Sequence, residues 1–321
     1  MGIEFRMASS QDASALSSFT EEFWGIKYSA DYWSWKYFEN PYGPSGIAIA
    51  IDNGKVIGRA GSYALPFTVG NTGCVAHYLC DTDVVDEYRS QGVMLNLVGV
   101  LSSAAPPSLR QSHGVEFALA VPAAAEFAQT FFGFTALGPS DEYLKILNPF
   151  SYFSRVLKIP FPKKIHEIAR KVLSVRLFRL KPKSLSSASW GPIDLTGRPV
   201  DLHLCQPEIG VVKDWSYLDW RYNRSAHSNR GFRCYRGQPG VVVVSVNRRR
   251  GINRGVVHDA LPVLSDLDSW NSLLDYAVSR LTLLGADTIS LNGVYPEAVA
   301  GSILSRGFFR RPSTYALIAR E

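Results

Sequence analysis

The stretch Leu79-Cys80-Asp81-Thr82-Asp83-Val84-Val85-Asp86-Glu87-Tyr88-Arg89-Ser90-Gln91-Gly92-Val93-Met94-Leu95 decides how this chain is read. A β-prone run, Cys74–Val85, leads through a polar loop into a helix that begins near Val93, with Leu95, Val98 and Leu101 at helical spacing. A strand, a short Arg-x-x-Gly loop and a helix N-terminus offer free backbone N–H groups and a favourable dipole to an anion. Gly92 permits close backbone approach. Two readings stay open here: a pyrophosphate cradle, or a glycine that merely starts a helix.

Working outward, Ile47–Ile51 and Val56–Tyr63 are short strands separated by Asp52-Asn53-Gly54, a hairpin signal because Asn-Gly tolerates positive φ. Phe117–Val121 reads as a strand and Ala123–Phe132 as a helix. The pattern then recurs. Tyr32-Trp33-Ser34-Trp35-Lys36-Tyr37 matches Tyr217-Leu218-Asp219-Trp220-Arg221-Tyr222, and Gly114–Leu119 matches Gly285–Ser290. Both halves pass through a proline and a helical stretch to Gly-Phe, at Gly133-Phe134 and Gly307-Phe308. In the second half Gly240–Val246 and Gly255–Leu261 read as strands, 267–284 as a helix and Thr288–Leu291 as a strand. The order is β-β-β-α-β-α, followed in the second half as far as its strands are legible, an α/β class with a mixed central sheet flanked by helices in each copy. The expected division is 1–150, a linker 151–195, and 196–321.

The phosphate-loop stretch, with Gly-Phe after a later helix, resembles the GNAT superfamily of acyl-CoA-dependent N-acyltransferases. Tyr32–Tyr37 followed by Asn40-Pro41-Tyr42-Gly43 is similar to the start of many members. The resemblance implies a tandem of two GNAT-like domains, the first binding acetyl-CoA or another acyl-CoA. It implies the pyrophosphate on the amides of Arg89, Ser90, Gln91, Gly92, Val93, Met94 and Leu95, and pantetheine along the main chain of Thr82 and Val84. Two departures stand out: Met94 replaces the small residue of the family loop, and Gln129 stands where many members have a tyrosine that protonates the leaving thiolate. The second copy has no Arg-x-x-Gly, so it reads as a degenerate partner shaping the acceptor site.

Acylating an amine needs a neutral nitrogen, a proton acceptor and donors for the oxyanion. By the two-residue strand period, His77, Asp81 and Asp83 share one face of the Cys74–Val85 strand, and Cys80 points to the opposite face, into the core. That polar face is read as a base, or as carboxylates that hold an ammonium; hydrogen-bonded residues covering loop backbone are the other reading. Trp220, Arg221, His258 and Asp259 are the acceptor-site candidates. The repeated aromatics are either stacking platforms or packing elements.

The 321 residues fit two globular domains, and 46% hydrophobic with 19% charged residues excludes large-scale disorder. Net charge is +6, yet residues 151–190 alone carry +9, with Glu167 their single acid. Nucleic-acid binding is therefore not expected of the chain as a whole. Lys163, Lys164, Arg170, Lys171, Arg176 and Arg179 alternate with apolar residues, which gives an interdomain helix or a peripheral membrane contact. Cys74, Cys80, Cys205 and Cys234 form no C-x-x-C pair, so no metal is expected and a reducing compartment fits. The N-terminal residues read as neither a signal peptide nor a myristoylation site, and the expected location is cytoplasmic. The first acceptor expected, from family members of this tandem size, is a nucleotide-linked amino sugar for surface polysaccharide synthesis. Alternatives are an aminoacyl-tRNA-dependent cell-wall transferase, or a non-catalytic module that senses acyl-CoA or docks on a membrane.

Overall fold

β1 (Glu4–Met7) pairs with β2 (Gly46–Asp52), which the Asn53-Gly54 turn folds back onto β3 (Lys55–Val69). Asn53 and Gly54 take φ of 48° and 76°, the conformation their sequence predicts. β3 continues antiparallel into β4 (Thr72–Val84), and β4 runs parallel to β5 (Glu116–Ala120). The computed structural model describes residues 2–104, 115–156, 168, 190–192, 204–224, 231–249, 251–293, 295–311 and 315–320.

This first sheet has the order β1-β2-β3-β4-β5-β15-β6, where β6 is Thr135–Pro139 and β15 is Ala316–Arg320; β9 (Ile209–Val211) pairs with the far end of β3. Its two faces are covered differently. The helix Val93–Ala104 packs Val93 and Leu97 against Ala48, Ala50, Ile57, Ala60 and Val84 on one face. On the other lies the helix Ala13–Trp24, which buries Leu16, Phe19 and Thr20, followed by the aromatic segment Ala30–Phe38. Burial of such side chains stabilises by about 1.5–3 kcal/mol each, which fixes the sheet between the two layers.

The second sheet has the order β14-β7-β13-β12-β11-β10-β8. Its strands are β7 (Asp141–Ile146), β8 (Gly191–Pro192), β10 (Arg233–Gly237), β11 (Gly240–Arg249), β12 (Ile252–Pro262), β13 (Thr288–Gly293) and β14 (Phe309–Arg311). The helix Leu267–Leu283 inserts Leu273, Leu274, Ala277 and Leu281 into a core with Val242, Val244, Val257 and Ile289. β11 and β12 are antiparallel and β12 is parallel to β13, the local pattern of β3, β4 and β5.

The compact units are not contiguous: one is Met1–Gly138 with Gln206–His227 and Tyr315–Glu321, the other Pro139–Cys205 with Ser228–Thr314. The cuts expected at 150 and 195 therefore differ from the contacts. The reason is strand pairing: β7, expected in the first copy, joins β13 and β14, and the C-terminal β15 joins β5. Residues 157–167 and 169–189, which include the expected basic helix, lie outside the described residues.

Candidate active site

β3 and β4 keep strict register until Gly61 opposes Cys80; the next pair is Arg59 with Asp83, so Asp81 and Thr82 stand opposite Ala60 alone. This is a β-bulge, and it puts Asp81 at φ 51°, a left-handed conformation that costs a non-glycine residue roughly 1 kcal/mol or more. The extra residue resets the alternation. Cys80, Asp81 and Asp83 all face the Ala30–Phe38 side, while His77 faces the other, where its Nδ1 meets Ser62 Oγ at 3.1 Å. Two expectations are corrected by that single residue: His77 does not share a face with the two aspartates, and Cys80 sits beside Asp81.

Under the bulge, Lys36 Nζ donates to Asp81 Oδ2 at 2.5 Å and Tyr37 Oη donates to the same oxygen at 2.6 Å. Lys36 is ringed by Tyr32, Tyr37 and Tyr63, with its nitrogen 5.1–5.7 Å from their ring centroids. Tyr37 reaches the carboxylate over Gly61, where a Cβ would lie only 2.1 Å from the phenol oxygen. Burial would raise the Asp81 carboxyl, but Lys36, Arg59 and the Tyr37 hydroxyl outweigh it and hold it at about 2. Burial likewise opposes the Lys36 ammonium, and Asp81 more than compensates, raising its pKa. A carboxyl ionised so firmly is a poor proton acceptor at neutral pH. Asp81 is an anchor for the bulge rather than a base.

Asp81 is depressed from an unfolded value of about 3.9, so its contribution to stability is complete above that pH and is lost as pH falls toward 2. Urea midpoints measured between pH 4 and pH 2 are expected to fall more steeply for the native protein than for Asp81→Asn; equal slopes would contradict this assignment.

Asp83 is engaged as well. Arg59, 2% exposed, donates to it at 2.9 and 3.2 Å and to Thr20 Oγ1 at 2.6 Å, with its guanidinium over the rings of Phe19 and Trp33. Glu116, opposite His77 on β5, accepts from Arg320 at 2.6 Å. Cys80 is pushed up to about 11 by burial, so its thiol stays protonated.

A cleft of about 1300 Å³ connects these groups within the first unit. β4 pairs with β5 only at His77 and Tyr78, and beyond them the strands diverge. Val85 N–H donates to Ile57 O, so the main chain of Val84 points away from β3, toward the gap. Met94, Val98 and Leu101 line one side, Thr20, Phe23, Trp24 and Tyr28 the other, and Cys80–Val84 lie between. The cleft thus passes through the sheet. At the end of the gap the loop Asp86–Gln91 closes on Gly92 at φ 70° and the helix begins. Tyr88 Oη donates to Asp52 at 2.7 Å and Arg89 Nε to the Val84 carbonyl at 3.1 Å, fixing the loop to both neighbouring strands. Arg89 and Met94 line the cleft; Ser90, Gln91, Gly92, Val93 and Leu95 are not among the lining residues and would offer only main chain. Gln129 turns back onto its own helix, donating to Ala125 O at 3.1 Å, and does not line the cleft.

The remaining candidates separate. Trp220 stacks on Trp35 with ring centroids 5.1 Å apart, Trp35 Nε1 donates to the Trp220 carbonyl, and Arg221 lies over Trp35. They are packing elements of the first unit, and the repeated aromatic motif is structural. His258 and Asp259 belong to the second unit, where His258 is the extra residue of a bulge in β12 and its Nε2 meets Ser245 Oγ at 2.8 Å. Lys36, Tyr37, Arg59 and Ser62 were not site candidates from sequence. Lys36 and Tyr37 carried a signal nonetheless, a basic residue held inside an aromatic repeat.

The diverging parallel strands, the bulge beside them and the glycine-ended loop at the head of a helix agree with an independent finding: residues 4–135 match the model of the acetyltransferase (GNAT) domain. The chain carries a GNAT acetyltransferase domain. Solved structures extend the fold likeness over the whole chain. A conserved protein of unknown function from Enterococcus faecalis, named "Probable N-Acyltransferase", is 8% identical with a TM-score of 0.63, covering 100% of this chain and 72% of that one. A GCN5-related N-acetyltransferase from Anabaena variabilis is 13% identical with a TM-score of 0.58, covering 99% and 72%. Eis1 from Mycobacterium abscessus is 15% identical with a TM-score of 0.55, covering 98% and 73%. No curated protein shows significant similarity to the sequence. Among the described residues there is no cluster of three or more metal-ligating side chains, and no helix is long and apolar enough to cross a membrane.

Proposed function

We propose that the GNAT domain transfers an acyl group from acyl-CoA to a primary amine. The observation that supports this most is the gap after Tyr78, where the main chain of β4 is open to a pantetheine arm above the Gly92 loop. Donor and acceptor would enter the cleft from opposite faces of the sheet. That arrangement favours the reaction by holding two bound reactants in line, which alone supplies about 7–11 kcal/mol of the barrier.

On the acceptor side the cleft is lined by Phe23, Trp24, Ile26 and Tyr28, with Trp24 56% exposed. Asp81, Asp83 and Glu116 already hold internal cations. An amine on an apolar or aromatic body fits such walls better than a polycation. A nucleotide-linked amino sugar remains the competing acceptor, although Arg59 and Arg320 are occupied by carboxylates and leave little for its phosphates. Calorimetry with acetyl-CoA, followed by release of CoA thiol across an amine panel containing phenethylamine, spermidine and a nucleotide amino sugar, tests both steps. Binding without thiol release would favour an acyl-CoA sensor. Trp24→Ala is expected to raise KM for aromatic amines roughly tenfold with little change in kcat, the result of losing a stacked ring contact.

The loop makes a smaller prediction. Tyr88→Phe removes the tie to Asp52, and the Kd for acetyl-CoA is expected to rise roughly threefold, as for loss of one modest hydrogen bond.

A further inference from the structure

His77 is 7% exposed, it lines the cleft, and its Nε2 is buried without a hydrogen-bond partner among the described residues. An orphaned buried nitrogen costs free energy comparable to a lost hydrogen bond, so its retention in a cleft wall asks for a reason. Its position supplies one: His77 pairs with Glu116, and only the next pair, Tyr78 with Phe117, follows before the strands part. It stands on the face of β4 that looks toward the helix Val93–Ala104, the donor side of the cleft. On the helix Pro122–Phe132, Gln129 is an amide bonded to its own helix and supplies no acid. The carboxylates nearby are held in ion pairs and the Cys80 thiol is firmly protonated.

We infer that His77 serves as a single proton shuttle, taking the proton of the acceptor amine and delivering it to the departing CoA thiolate. The inference rests on the acyltransferase reading above. With Nδ1–H donating to Ser62 Oγ, Nε2 is left as the unpartnered lone pair of a residue that lines the cleft. The neutral amine nitrogen attacks the thioester carbonyl carbon, forming the C–N bond, and the C–S bond breaks. The proton shed by nitrogen passes to Nε2, directly or through one water, and then from the imidazolium to sulfur, so CoA leaves as the thiol and His77 returns neutral. Burial depresses the His77 pKa, with Glu116 opposing, which keeps the imidazole free to accept at neutral pH. The charged groups facing it are Glu116 on β5 and, bonded to Glu116, Arg320 on β15. β3 presents Ser62 and Ala64, and the helix Val93–Ala104 contains no titratable side chain.

The test uses the full chain with acetyl-CoA and phenethylamine, comparing every variant on the same amine so that the acceptor's own ionisation cancels. His77→Gln is expected to bind acetyl-CoA with the native Kd but to lose about 100-fold in kcat and the acidic limb of the pH–kcat profile; added imidazole is expected to restore turnover to His77→Gly. Native kcat with an unchanged acidic limb in His77→Gln overturns the shuttle alone. Ser62→Ala guards against a misfolded His77 variant: loss of the Nδ1 partner is expected to move the acidic limb, and an unmoved limb counts against the shuttle. A native protein that does not bind acetyl-CoA overturns the acyltransferase reading, and the shuttle falls with it.

Discussion

Gly92→Trp is expected to abolish measurable acyl-CoA binding, a loss of roughly a thousandfold or more in Kd, equivalent to about 4 kcal/mol. The effect has two parts. Gly92 has φ 70°, and any side chain there pays the left-handed penalty; Gly92→Ala isolates that part, because a Cβ would meet nothing closer than Asn96 Nδ2 at 4.0 Å. The alanine variant is therefore expected to cost only about 1 kcal/mol, roughly fivefold in Kd. The indole adds bulk at the turn from which the first amides of the helix Val93–Ala104 are presented, and those amides have no intrahelical partner of their own. Calorimetry on the three proteins gives the comparison. Native affinity in Gly92→Trp would remove the phosphate from this loop and with it the orientation of the donor.

Lys36→Met is expected to destabilise the first unit by about 3–5 kcal/mol, because it leaves the Asp81 carboxylate in the protein without its cation. For a unit of this size that corresponds to a fall of roughly 10 °C in Tm, read by calorimetric scanning. The side chains of Lys36 and Asp81 are only 7% and 20% exposed, so water cannot replace the lost partner fully. Combining Lys36→Met with Asp81→Asn is expected to recover much of the loss, since a neutral pair of similar volume avoids the stranded charge. Loss of activity in the double variant despite recovered Tm is also expected: the bulge at Asp81 would no longer be pinned, and the cleft-facing main chain of β4 depends on it. A Lys36→Met protein as stable as the native one would show that the ion pair is incidental to the bulge.

Most elements were legible because their signals are local. The Asn53-Gly54 turn, the β-prone runs that became β2, β3 and β11–β13, and the helical spacing from Val93 each depend on residues within a few positions of one another. The exchange of β7 and β15 was not legible, because both are strands of only six and five residues whose partners lie far away in the sequence, at β13 and β5. Only the geometry of the sheets assigns them.

At the site, sequence alone determined the strand, loop and helix around Gly92 and the residue types facing them: glycine's conformational freedom is a property of the residue and needs no neighbours. Tertiary structure decided which side each group serves. One extra residue in β4 turned Cys80 toward Asp81 and His77 away from both aspartates, and a bulge is set by the register of a partner strand, which strand period cannot reveal. The same holds for protonation. Asp81, Asp83 and His77 were equally eligible by type; Lys36 and Arg59 from other segments hold the two aspartates as paired anions, and Ser62 engages only one nitrogen of His77.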